Sequence, residues 1–126
     1  MKVLQIIESA YRATTEEQDD TIVWLTHAMK GAGGDFSVLL RGNAVNYAVS
    51  GQDASGLSFG AWKQTAPPRL AEDISALVAK NVAIYLVQED AQERGLGNVE
   101  LVGGVRKVSR SALPALMSEH DQVWHW

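Results

Sequence analysis

The sequence predicts an α/β domain built on a mainly parallel five-stranded sheet with helices on both faces. Three observations carry this. The runs Val3 to Ile7, Phe36 to Leu40 and Val82 to Val87 are dominated by aliphatic and β-branched residues, with Gln5, Phe36, Ser37 and Tyr85 the exceptions, as strands buried on both sides are. Segments with apolar residues at three- and four-residue spacing lie between them. Alternation of the two kinds is the order that a parallel sheet with crossover helices requires. At 126 residues the chain has the size of one domain, read as 1–126. A domain of that length buries about two thirds of its unfolded surface.

The first strand, Val3 to Ile7, ends at Glu8-Ser9. Thr14 with Glu17 and Thr15 with Gln18 form two overlapping capping boxes, which predict a long helix with Ile22, Leu25, Ala28, Met29 and Ala32 on its apolar face. Gly31, Gly33 and Gly34 stop it. A second strand, Phe36 to Leu40, runs into Arg41-Gly42-Asn43, followed by a short helical pattern from Ala44 to Val49. Ser50 to Pro68 is rich in Gly, Ser, Ala and Pro and reads as a long loop carrying Phe59 and Trp62. Arg69 to Lys80 has the helical stripe Leu70, Ile74, Leu77 and Val78, with Asn81 suited to end it. After the third strand, Val82 to Val87, Asp90 and Glu93 have the spacing of an N-cap and its partner in a brief helix closed by Gly95. Val99 to Val102 is predicted as a fourth strand. Ser109 or Ser111 caps a last helix, where Pro114 is tolerated in the first turn, and Gln122 to Trp126 alternates as a closing strand.

Composition narrows the function. The chain has no cysteine, so it has no disulfide, thiolate metal site or thiol nucleophile of its own. A net charge of -4 with 11 Lys+Arg spread thinly argues against nucleic acid or an anionic membrane as a direct partner. The apolar run before Glu8 is too brief for a signal segment or a membrane span, so a cytoplasmic location is expected.

In an open α/β sheet, ligands bind beyond the carboxyl ends of the strands. Glu8 and Ser9, then Arg41, Gly42 and Asn43, then Gln88, Glu89 and Asp90 end three strands. If those strands are neighbours, these groups share one rim. Such a rim suits a small polar ligand or a partner protein; solvation plus capping by Asn43 and Asp90 accounts for the same residues. No GxGxxG follows the first strand and no GxxxxGKS or GxxxxGKT occurs, which argues against dinucleotide or triphosphate sites. His27 lies inside a helix, and His120 and His125 are separated by a helix-to-strand break, so no metal site is expected. GLSFG, Gly56 to Gly60, has the GxSxG spacing but lies in the long Ser50 to Pro68 loop rather than between a strand and a helix, so it is not a nucleophile elbow. Of the 4 Trp, Trp62 in the long loop and Trp124 and Trp126 near the end are candidate interface anchors, with Phe59.

KVLQIIES, SVLLRGNAV, IYLVQEDAQERGL and SEHDQVWHW, in that order, resemble the DsrE/DsrF/DsrH superfamily of small sulfur-relay and sulfur-oxidation subunits. The turn Glu89-Asp90 followed by Arg94-Gly95-Leu96 is similar to that of the TusB/DsrH branch, as is the terminal tryptophan. The loop Ser50 to Pro68 departs from that branch. The resemblance implies a flavodoxin-like single domain assembled as a trimer or hexamer or with other subunits. It also implies, in catalytic members, a persulfide-carrying cysteine at the end of the third strand, a position that falls on Val87 here. An aliphatic side chain cannot carry sulfur. The expectation is therefore a non-catalytic subunit without cofactor that binds sulfur-relay or sulfurtransferase proteins through Glu8, Ser9, Arg41, Gly42, Asn43, Gln88, Glu89, Arg94 and Trp62. The rival is a small-molecule-binding or enzymatic domain whose polar site is Glu8, Arg41 and Glu89 on the same rim.

Overall fold

The computed structural model describes residues 1–11 and 20–126. Strand β1 (Lys2–Ile7) leads to helix α1 (Thr21–Gly31) and strand β2 (Asp35–Leu40). A 3-10 helix (Gly42–Ala48) and a hairpin of β3 (Ser58–Phe59) and β4 (Trp62–Lys63) precede α2 (Leu70–Ala79). Strand β5 (Ala83–Val87) passes directly into α3 (Gln88–Glu93). Strand β6 (Arg106–Val108), a 3-10 turn (Arg110–Ala112), α4 (Leu113–Ser118) and β7 (Gln122–His125) complete the chain.

The main sheet has five strands in the order β6-β5-β2-β1-β7, and every pairing within it is parallel. Successive strands add outward from β1 through β2, β5 and β6, and the chain then returns to the far side of β1. The predicted α/β, flavodoxin-like architecture is the observed one. Ile7, Val38, Leu40, Ile84 and Leu86 pack under α1, the first 3-10 helix and α2 on one face, where Ile22, Tyr47, Ile74 and Leu77 meet them. On the other face Leu4, Ile6, Leu39 and Val87 are covered by Leu113 and Leu116 of α4. Each such aliphatic side chain, once fully buried, contributes about 1.5–3 kcal/mol.

Two buried polar groups are hydrogen-bonded, as burial demands. Gln5 donates to Thr26 Oγ1 at 2.7 Å and accepts from Trp126 Nε1 at 2.9 Å, so Trp126 is tied into the sheet. Asp20 caps α1 by accepting from the amides of Ile22 and Val23, and also accepts from the Tyr47 hydroxyl at 2.6 Å. Burial, first, and this bond push the Tyr47 phenol above its ordinary range.

Several expectations are corrected. The two capping boxes at Thr14 to Gln18 lie outside the described residues, and the described helix starts at Thr21 behind Asp20. Its buried face is Ile22, Val23 and Thr26, while Ala28 and Ala32 are exposed. Asn43 does not cap the 3-10 helix: Arg41 occupies the cap position without a side-chain bond. Asp90 does not cap α3, which starts two residues earlier at Gln88, so Asp90 falls in the first turn and points inward. The fourth strand is Arg106–Val108 rather than Val99 to Val102; Leu101 makes an isolated bridge to Val49, and the Val102 amide donates to the Ala48 carbonyl. Neither Ser109 nor Ser111 caps α4; a 3-10 turn intervenes and the two hydroxyls lie 3.0 Å apart. Pro114 does occupy the first turn of α4, and Asn81 takes the left-handed conformation, φ 63°, after α2. No helix among the described residues is long and apolar enough to cross a membrane.

Candidate functional site

Because β1, β2 and β5 are adjacent, their carboxyl ends form one rim, joined at its two flanks by the ends of β6 and β7. Asp90 organises one half. It is 6% exposed. One carboxylate oxygen accepts from the Gly42 amide at 2.7 Å and the other from Arg110 Nη2 at 2.5 Å. Burial alone would raise this carboxyl, but the Gly42 amide, Arg110 and the charge of Arg41 outweigh burial and hold it below the ordinary aspartate value. Glu89 accepts from the Arg110 amide at 2.7 Å. Arg94 donates to Asn43 Oδ1 at 3.0 Å and to the Asp90 carbonyl at 3.1 Å. The turns after β2, β5 and β6 are thus tied to one another through charged groups.

The other half centres on Glu8, at the point where strand order reverses. Its Oε2 lies 2.6 Å from His125 Nε2 at the end of β7, and its Oε1 lies 3.8 Å from Arg41 Nε. The Glu8 and Ser9 amides both donate to the Trp126 carbonyl, at 2.9 and 3.4 Å. Gly42, φ 55°, sits between the halves; a Cβ there would lie 3.0 Å from Glu8 Cγ, so glycine serves both the turn and the close approach.

The expected residues Glu8, Arg41, Gly42, Asn43, Glu89 and Arg94 are brought together, with Ser9 and the partly buried Gln88 on the strand ends beside them. Trp62 sits on a different element, the β3–β4 hairpin, half exposed with its ring 6.0 Å from that of Phe59. Trp124 packs near Phe36. Sequence reasoning missed Arg110 and His125. The strand-end rule applied to the closing strand Gln122 to Trp126 would have pointed to His125, whereas Arg110 follows β6, a strand that the sequence pattern puts at Val99 to Val102 instead. Val87, the last residue of β5, is fully buried between the sheet and α4.

Chemically, the rim offers paired carboxylates and guanidinium groups but no thiol. Glu8 and His125 form an oriented acid–imidazole pair, and no serine hydroxyl is hydrogen-bonded to that imidazole among the described residues. No group of three or more His, Asp or Glu in the described residues has the arrangement of a metal site. An open cavity of about 410 Å³ lies apart from the rim pairs, between Tyr11, the 51–54 loop and the start of α2 at Pro68 to Glu72.

No family model matches the sequence, and no curated protein does. Solved structures do match. The ychN protein from E. coli, known from a crystal structure, superposes over 100% of both chains with a TM-score of 0.74 at 18% identity. The fold of the two proteins is shared from end to end.

Proposed function

We propose that this chain is a DsrE/DsrF/DsrH-like protein, with a third-strand turn of the TusB/DsrH kind, that acts in intracellular sulfur trafficking as a non-catalytic, oligomeric, partner-binding subunit. The full-length likeness to the ychN protein supports membership of the DsrE-like superfamily. Val87 carries the rest of the reading. It occupies the end of β5, where sulfur-carrying members of the superfamily place a cysteine, and its side chain is hydrocarbon packed against Leu113 and Leu116. Among the described residues the surrounding rim keeps a dense set of charged groups and no thiol, a composition suited to recognition. Its partners are sulfur-relay or sulfurtransferase proteins, or further copies of itself.

Two measurements test this. After incubation with a persulfidated donor protein, intact-mass spectrometry should find the chain unchanged, and a pull-down should recover relay proteins. Gain of the mass of a sulfur atom, or turnover by the isolated protein, would sink the reading. The 410 Å³ cavity beside Tyr11 and Arg69 favours a second reading, small-molecule binding, at a place other than the rim. Native mass spectrometry showing a co-purified metabolite would establish it.

A further inference from the structure

Among the described residues, three arginines converge on the rim in different states. Arg94 donates to Asn43 and to the Asp90 carbonyl, and Arg110 donates to Asp90 and, at 3.3 Å, to Glu93. The Arg41 guanidinium makes no hydrogen bond among the described residues, although its Nε is shielded from solvent. Glu8 Oε1, at 3.8 Å, is too distant to be a hydrogen-bond acceptor, and the other Glu8 oxygen is engaged by His125. A shielded donor left unpaired costs about 1–3 kcal/mol. The neighbouring rim arginines Arg94 and Arg110 are paired, so among the described rim residues the unpaired guanidinium donor belongs to Arg41.

A guanidinium is a planar fork of N–H donors that matches a carboxylate or another oxyanion. We infer that Arg41 is the receptor for a carboxylate, supplied by an acidic side chain of a partner protein that docks over the ends of β1, β2 and β7. The inference rests on the partner-binding reading above and names the chemistry by which the partner is recognised. Arg41 is open to solvent over 31% of its side chain, enough to be reached. Glu8 is the carboxylate within ion-pair range and Asp90 adds a second negative charge nearby, so both oppose an incoming anion. Glu8 therefore acts as a competitor that the partner's carboxylate displaces.

The probes are a hexaglutamate peptide and, separately, inorganic sulfate, titrated at low ionic strength because exposed charges are screened by salt. The reporter is the NMR resonance of the Arg41 Nε–H group. The expected result is a saturable shift with the peptide, weakened at least ~10-fold when amide resonances follow the same titration of Arg41→Gln, the loss set by charge-assisted hydrogen bonds. Glu8→Gln, which removes the competitor and leaves Arg41 in place, should bind the peptide more tightly than the wild type. The inference is overturned if Arg41→Gln binds as the wild type does, if Glu8→Gln weakens binding, or if only sulfate binds, which would mark the site as one for a free anion. Peptide binding at Arg41 without recovery of relay proteins in the pull-down would leave this site standing and remove the sulfur-relay reading.

Discussion

The two halves of the rim use the same residue types to different ends. Around Asp90, carboxylate, guanidinium and backbone amide are mutually satisfied and the central group is nearly dry. Around Glu8, the side chains of the carboxylate and imidazole are 43% and 56% exposed, and Nε of the neighbouring Arg41 lacks a hydrogen-bond acceptor among the described residues. The first arrangement fixes three turns relative to one another. The second is held on a rigid base by those fixed turns but is itself free to exchange partners. Rigidity beside availability is what a recognition surface needs, since ordering cost is kept low while donors stay open.

The sharpest way to break this contrast is Asp90→Ala. It strands the Gly42 amide and one face of Arg110, and because the lost acceptor is buried the expected cost is about 2–3 kcal/mol, read from urea denaturation at neutral pH. Arg110, half exposed, recovers part of its loss through water, which keeps the figure below that of a wholly buried pair. The acid dependence follows from the same carboxyl. Its folded pKa is depressed, so its contribution is complete above the ordinary aspartate value of 3.8 and disappears as pH falls through the lower folded value. The stability difference between wild type and Asp90→Asn should therefore shrink below about pH 4, in the range set by that depression. A difference constant down to pH 2 would refute the assignment.

What could be read in the sequence follows from how each element is stabilised. Strands β1, β2 and β5 are central, and their largely apolar runs announced them despite Gln5 in β1 and Ser37 in β2. Strand β6 is a three-residue edge of Arg106, Lys107 and Val108, mostly exposed, so no hydrophobic signal marks it. The more apolar Val99 to Val102 segment attracted the assignment and instead braces the end of the first 3-10 helix. The rim was legible wherever a polar cluster directly ended a strand, as at Glu8, Arg41 and Glu89. Its cross-ties were not: Arg110 reaches Asp90 across 20 residues and His125 reaches Glu8 across 117, distances over which no local spacing rule operates.

Gly42 is the boundary between the halves, and Gly42→Ala probes whether they are mechanically linked. A left-handed alanine costs about 1–2 kcal/mol in backbone energy. Its Cβ also presses on Glu8 Cγ, which must give by a few tenths of an ångström. The expected outcome is a moderate loss of stability by thermal or urea unfolding, together with displaced amide resonances at Glu8 and His125. Displacement confined to Asp90 and Arg110 would show that the halves are independent.

The smallest effect is expected at Glu8. Its partners are exposed, so removing the carboxylate by Glu8→Ala should change stability by about 0–1 kcal/mol, the range of surface ion pairs. Salt then separates the two halves without further substitution. An exposed pair is screened over roughly 8 Å at physiological ionic strength, and more strongly above it, whereas a nearly dry one is screened much less. Raising the salt concentration should therefore erase the Glu8→Ala difference in urea midpoint and leave most of the Asp90→Ala difference in place. If both differences fade together, the Asp90 cluster is wetter than its geometry implies, and the division of the rim into a fixed half and an available half does not hold.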